Sequence, residues 1–188
     1  MTCMQSRHWF IMPLMVAVLG CEAQPRPDVA ADAAVVVDPS LSQGYSLLHH
    51  LMSQQANVDK ILILKSASDP VKTLVRAIAA ESAQARDRLA ELMRGDGQLK
   101  LGDTGLPALE QAARDRIEGA TARSLLTSGG AAFQTRLLMT QQSATEYAAA
   151  LAHSLAAREQ QPQRREQLQQ MAARFDELHT QVVALLVK

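Results

Sequence analysis

The sequence predicts an all-α protein, an up-and-down four-helix bundle, and three observations predict it. Beyond residue 44 the chain is rich in Ala, Leu, Gln, Arg and Glu, and aromatic residues make up only 3% of the whole sequence. These are helix-forming residues. Apolar residues in the longest segments recur at alternating spacings of four and three, which sets them on one stripe of a helix. Stretches rich in Pro, Gly and Ser then cut the chain into lengths suited to long helices with short connections. Strand alternation and solenoid repeats are both missing.

The elements follow in order. A first helix is expected over about Ser46–Ser66, with Leu47, Leu51, Val58 and Ile61 as its apolar face. Ser68-Asp69-Pro70 then reads as a helix start, because Ser or Asp caps and Pro suits the first turn. The second helix runs to about Arg94, with Val71, Val75, Ile78, Ser82, Ala85, Leu89 and Leu92 on one stripe. Residues 95–105 form a turn-rich loop. An extra short helical segment, about Leu106–Leu126 and broken near Gly119, lies before the Thr127–Gly130 punctuation. A further helix covers Ala131–Arg158, with Phe133, Leu137, Ala144, Ala148, Leu151 and Leu155 facing inward. Residues 159–163 make a loop, and the last helix ends near Val187 with a stripe of Leu168, Met171, Phe175, Leu178, Val182 and Leu185.

The chain divides into three parts: a leader over 1–20, a lipidated cysteine and flexible tether over 21–44, and a bundle over 45–188. The bundle's roughly 144 residues suit one core. Arg7 precedes an uncharged apolar run over residues 9–20. That run is too short for a transmembrane helix, which needs about 20 residues, but it has the length of a secretory h-region. Val18-Leu19-Gly20-Cys21 resembles the lipobox of bacterial lipoproteins, with the small Gly20 before the cysteine. The resemblance implies cleavage before Cys21 and diacylglycerol on its thiol. Glu22 stands where an aspartate resembles an inner-membrane retention signal, so the outer membrane is expected over the inner. The other cysteine, Cys3, leaves with the leader, and the mature chain has no thiol for a disulfide or a metal. Loss of Arg7 leaves one acidic residue in excess, from a balanced 19 basic and 19 acidic. No basic cluster marks a nucleic-acid surface.

Polar residues on the apolar stripes are the candidate site. Ser82, Gln141, Thr145 and His179 could form a buried polar layer in the core. His50 is placed at the edge of the first helix's stripe, His49 away from it, and His153 toward the outside. The basic string Arg158–Arg165 reads as a solvated turn. P-loop, Gly-x-Ser-x-Gly and His-Glu-x-x-His patterns do not occur, so no catalytic residue is assigned.

The segments SASDPVKTLVRAIAAESAQARDRLAEL (Ser66–Leu92), LTSGGAAFQTRLL (Leu126–Leu138) and DELHTQVVALL (Asp176–Leu186) resemble a bacterial envelope family of unknown function. Its domain is similar to the ferritin-like four-helix bundle. The resemblance implies a periplasmic bundle and a histidine-containing metal site. That family often carries Asp-His in its second helix, where this chain has Glu81-Ser82, and a histidine where this chain has Thr145. His179 alone matches. A di-iron carboxylate site would use two Glu-x-x-His pairs, and the nearest pattern is Asp176-Glu177-Leu178-His179. Three functions are weighed, the third being a small-molecule carrier with a pocket between helices. One is a noncatalytic, cofactor-free lipoprotein of the periplasmic face, held to the membrane through Cys21 and acting on other envelope proteins. The alternative is a ferritin-like protein that handles a transition metal or oxidative stress, with His179, Asp176, Glu81 and Glu146 as candidate ligands.

Overall fold

A computed structural model describes residues 39–97 and 99–187. The expected leader, Cys21 and most of the tether lie outside these residues. The described chain is all-helical. It comprises α1 (Pro39–Gln55), a 3-10 turn (Val58–Lys60), α2 (Ile61–Leu64), α3 (Asp69–Arg94), α4 (Ala108–Thr127), α5 (Gly130–Arg158) and α6 (Pro162–Leu186). Among the described residues, no helix is long and apolar enough to cross a membrane.

Helix starts obey local chemistry. Ser68 precedes α3 with an extended backbone, and Pro70 sits in the first turn, where its missing N–H breaks no helical bond. The Ser68 hydroxyl makes no capping bond; instead the Ser68 N–H donates to Gln134 Oε1 at 2.9 Å. Pro162 opens α6, so the connection after α5 is shorter than the expected 159–163 loop. Helix α1 begins at Pro39, inside the range assigned to the tether. It stops at Gln55, and a 3-10 turn and the single turn of α2 replace the expected continuation to Ser66.

The core settles the faces. Tyr45, Met52, Ile78, Phe133, Phe175 and Leu178 are among its largest fully buried side chains, each contributing about 1.5–3 kcal/mol of hydrophobic stabilisation. The α3 and α6 stripes lie in this core as expected, except that Leu92 and Leu185 are only half-buried. On α1 the buried face is Tyr45, Ser46, Leu48 and Met52, not the expected Leu47, Leu51, Val58 and Ile61, which are half-buried. The two leucines look onto a cavity described below. On α5 the half-buried Ala144 and Leu151 are replaced in the core by Gln141, Thr145 and Ala152.

Hydrogen bonds give the directions. At one end, Arg158 Nη1 donates to Ser40 Oγ at 2.7 Å, and Arg164 pairs with Asp96. This end gathers the start of α1, the end of α3, the end of α5 and the start of α6. At the other, Lys65 Nζ donates to Ser128 O at 3.1 Å. That contact joins the approach to α3 with the end of α4 and the start of α5. Consecutive long helices therefore reverse, but α3 and α5 run parallel. The segment between them is the cause. It is a 20-residue helix, spanning about 30 Å, close to the expected bounds, and it passes Gly119 unbroken. The loop before α4 is tied to α1. Ser46 Oγ donates to Lys100 O at 3.0 Å and accepts from Gly102 N at 3.3 Å.

Gly44 permits the close approach of α1 to α5. A Cβ there would lie 2.7 Å from Leu155 Cδ2, and Leu155 is itself buried.

Candidate functional site

Three polar features stand out, and the expected layer is the first. Ser82, Gln141 and Thr145 are buried, and His179 is half-buried. They do not form one network. Thr145 Oγ1 donates to Gln141 O at 2.7 Å, the upstream helical bond that Ser and Thr often make. His179 Nδ1 lies 3.2 Å from Gln142 O and 3.5 Å from Thr145 Oγ1. A carbonyl only accepts, so the Nδ1–H is the donor in the contact with Gln142 O. Ser82 Oγ has no hydrogen-bond partner, and neither does Gln141 Oε1.

The residues weighed as metal ligands are spread apart or already engaged. Glu81 Oε2 accepts from Arg174 Nε at 3.2 Å. Asp176 Oδ2 lies 2.9 Å from His153 Nε2. Glu146 is exposed on α5. Among the described residues, no three of His, Cys, Asp and Glu converge as a metal-holding group. This donor set does not fit the two-metal centre that the ferritin-like resemblance implies.

The second feature lies at the α5–α6 turn, inside the string expected to be solvated. Glu159 and Arg164 are buried there. Glu159 Oε2 accepts from Tyr45 Oη at 2.7 Å. Its Oε1 accepts from Gln161 N at 2.9 Å and from Arg164 Nη2 at 3.0 Å. Arg164 also holds Asp96. Burial alone would raise the Glu159 carboxyl pKa, but the Gln161 N–H, the Tyr45 hydroxyl and the Arg164 guanidinium outweigh it and hold the value down. The same surroundings push the Tyr45 hydroxyl far up, burial first and then the Glu159 carboxylate. One side chain each from α1, the α3–α4 loop, the α5–α6 turn and the first turn of α6 are thereby locked together. The sequence signal was a tyrosine, one of two in the chain, at a position facing the bundle.

The third feature is a cavity of about 770 Å³ walled by α1, α4 and α5. Leu47, Leu51, Leu125, Met139 and Ala144 give it a mainly apolar lining. Charged groups on its walls are already satisfied. Gln54 Nε2 donates to Glu118 Oε1 at 2.7 Å and lies 3.1 Å from His50 Nε2. Arg114 pairs with Glu110 and stands 5.6 Å from the centre of the Tyr147 ring. Gln55 and Gln141 also line the space, and the Oε1 of each is buried without a protein partner. Such an acceptor costs about 1–3 kcal/mol. His50, exposed, borders this cavity, while His49 is the half-buried one, the reverse of the expected order. Burial, with Arg86 and His50 nearby, lowers the His49 pKa.

Compared with protein-family models, curated proteins and solved structures, the chain matches none.

Proposed function

We propose that this protein is a lipid-anchored helical bundle of the bacterial envelope that works by binding rather than by catalysis. The anchor rests on Val18-Leu19-Gly20-Cys21, which ends the apolar run of residues 9–20. The binding role is carried by the cavity between α1, α4 and α5, because largely apolar concavities with a few polar groups are ordinary ligand sites. The helix order supports a ferritin-like bundle with α4 in the crossover. An antiparallel α1–α3 pair precedes α4, an antiparallel α5–α6 pair follows it, and ferritin-like folds have one long crossover. The ion pair of Glu81 with Arg174 and the 2.9 Å contact of Asp176 Oδ2 with His153 Nε2 favour the noncatalytic reading over a metal-handling one.

Radiolabelled palmitate tests the anchor. Label is expected on the wild-type chain and not on Cys21→Ser, which should leave the membrane fraction. Equal labelling of both would contradict the anchor. Metal analysis of the purified protein tests the alternative. Stoichiometric iron, manganese or zinc that disappears in His179→Ala would establish it.

A further inference from the structure

A long helix in a folded domain ordinarily buries one face against its neighbours. Helix α4 has no buried residue along its 20 positions. Ile117, on its cavity-lining side, is 65% exposed. Only the half-buried Leu125, near its end, packs against the core; the hydrogen bonds and ring contact that join α4 to the rest run through polar groups: Glu118 to Gln54, Ser124 to Arg136, and Arg114 to the Tyr147 ring. The apolar side chains of α1 and α5 beneath it, Leu47, Leu51 and Met139 among them, face the cavity instead of packing onto α4.

The space has the size of a small-molecule site, ordinarily about 300–1,000 Å³. Arg114 and Glu118 already have partners. Of the polar atoms cut off from solvent, those left over are acceptor oxygens, on Gln141, which is 2% exposed, and on Gln55. A carboxylate or phosphate would give up its water with no unpaired cation on the lining to replace it. An ammonium would give up its water with no unpaired carboxylate to replace it.

We propose that this cavity binds a neutral amphiphile, whose apolar body fills the space under α4 and whose hydroxyl or N–H donates to Gln141 Oε1. Bound, it adds to the sparse packing of α4, where Leu125 alone meets the core, and satisfies the buried acceptor. The assignment does not depend on acylation of Cys21, so the labelling experiment above and the one below fail separately.

The probe is N-phenyl-1-naphthylamine, uncharged and apolar with one N–H donor. It is titrated into the full chain carrying Cys21→Ser, kept free of detergent so that no other neutral amphiphile competes, with Tm read from circular dichroism at 222 nm; this background is the wild type for the site. The wild-type Tm is expected to rise by several degrees with a saturable dose dependence. Ala144→Trp, which fills the cavity, should abolish the rise, as should Ala122→Trp from the α4 side. Ala150→Trp, at an exposed position on α5, should keep it. Gln141→Leu should fold and shift the titration midpoint at least tenfold higher. 8-Anilino-1-naphthalenesulfonate, a similar body with a fixed negative charge, should need at least tenfold more probe. No rise in the wild type, or an unchanged rise in both filled variants, would overturn the site. Equal midpoints for the two probes would overturn the neutral assignment, and an unchanged midpoint in Gln141→Leu would overturn the donor contact.

Discussion

At residue scale the strongest constraint is Glu159. Its carboxylate accepts from a hydroxyl, a backbone N–H and a guanidinium while buried, so removing its charge leaves Arg164 with Asp96 as its remaining carboxylate. Breaking a buried pair in this way costs about 3–5 kcal/mol. Glu159→Gln should therefore lower urea stability at pH 7 by roughly 3 kcal/mol. The pH dependence has a definite sign. The folded pKa lies below the ordinary 4.5, so the folded state binds fewer protons than the unfolded one. The stabilisation is fully present above about 4.5 and is lost as pH falls through the lower folded value. Urea curves at pH 7 and at a series of lower pH values should show the gap between wild type and variant narrowing as pH falls below about 4.5. A gap independent of pH would assign the effect to packing. Gly44 makes a steric counterpart. Alanine there drives a methyl into Leu155, and overpacking of this kind costs about 1–3 kcal/mol. The same denaturation assay checks it.

At the scale of elements, α3 and α6 were legible because their apolar residues keep one stripe over many turns. Leu178, on the α6 stripe, is fully buried. Leu178→Ala should lose about 2–5 kcal/mol, and a change too small to measure would put the residue on the wrong face. Helix α1 was less legible. Leucines at 47, 48 and 51 leave its inward side ambiguous by about one residue, and Tyr45 and Met52 decide it only once Glu159 and the α3 wall are placed. Helix α4 has apolar residues at Leu109, Ile117, Leu125 and Leu126 that do not line up on one face. Its length was readable but its packing was not. Lacking a buried side chain, α4 should open locally at low free-energy cost. Hydrogen exchange should therefore be faster across Gln111–Ala122 than across Ile78–Leu89 by at least tenfold. Equal protection would mean that α4 opens only when the whole domain does.

Over the whole molecule, composition and periodicity revealed the all-helical class, but not the path through it. The direction of α5 relative to α3 depends on a return helix that the sequence makes look broken at Gly119 but that runs unbroken. The buried state of Ser82, Gln141 and Thr145 was readable from their positions on apolar stripes. Their division was not, because helical spacing does not say that Gln141 looks toward α1 and α4 while Thr145 meets His179. The Tyr45–Glu159–Arg164–Asp96 cluster joins residues more than a hundred positions apart, which no local pattern encodes. The proposed anchor at Cys21 and the proposed ligand cavity rest on separate residues and are tested separately. The most direct measurement is the mass of the N-terminal peptide of the protein extracted from its native membranes. A peptide starting at Cys21 and carrying diacylglycerol is the predicted result; an unmodified Cys21, or a chain that starts elsewhere, would contradict it.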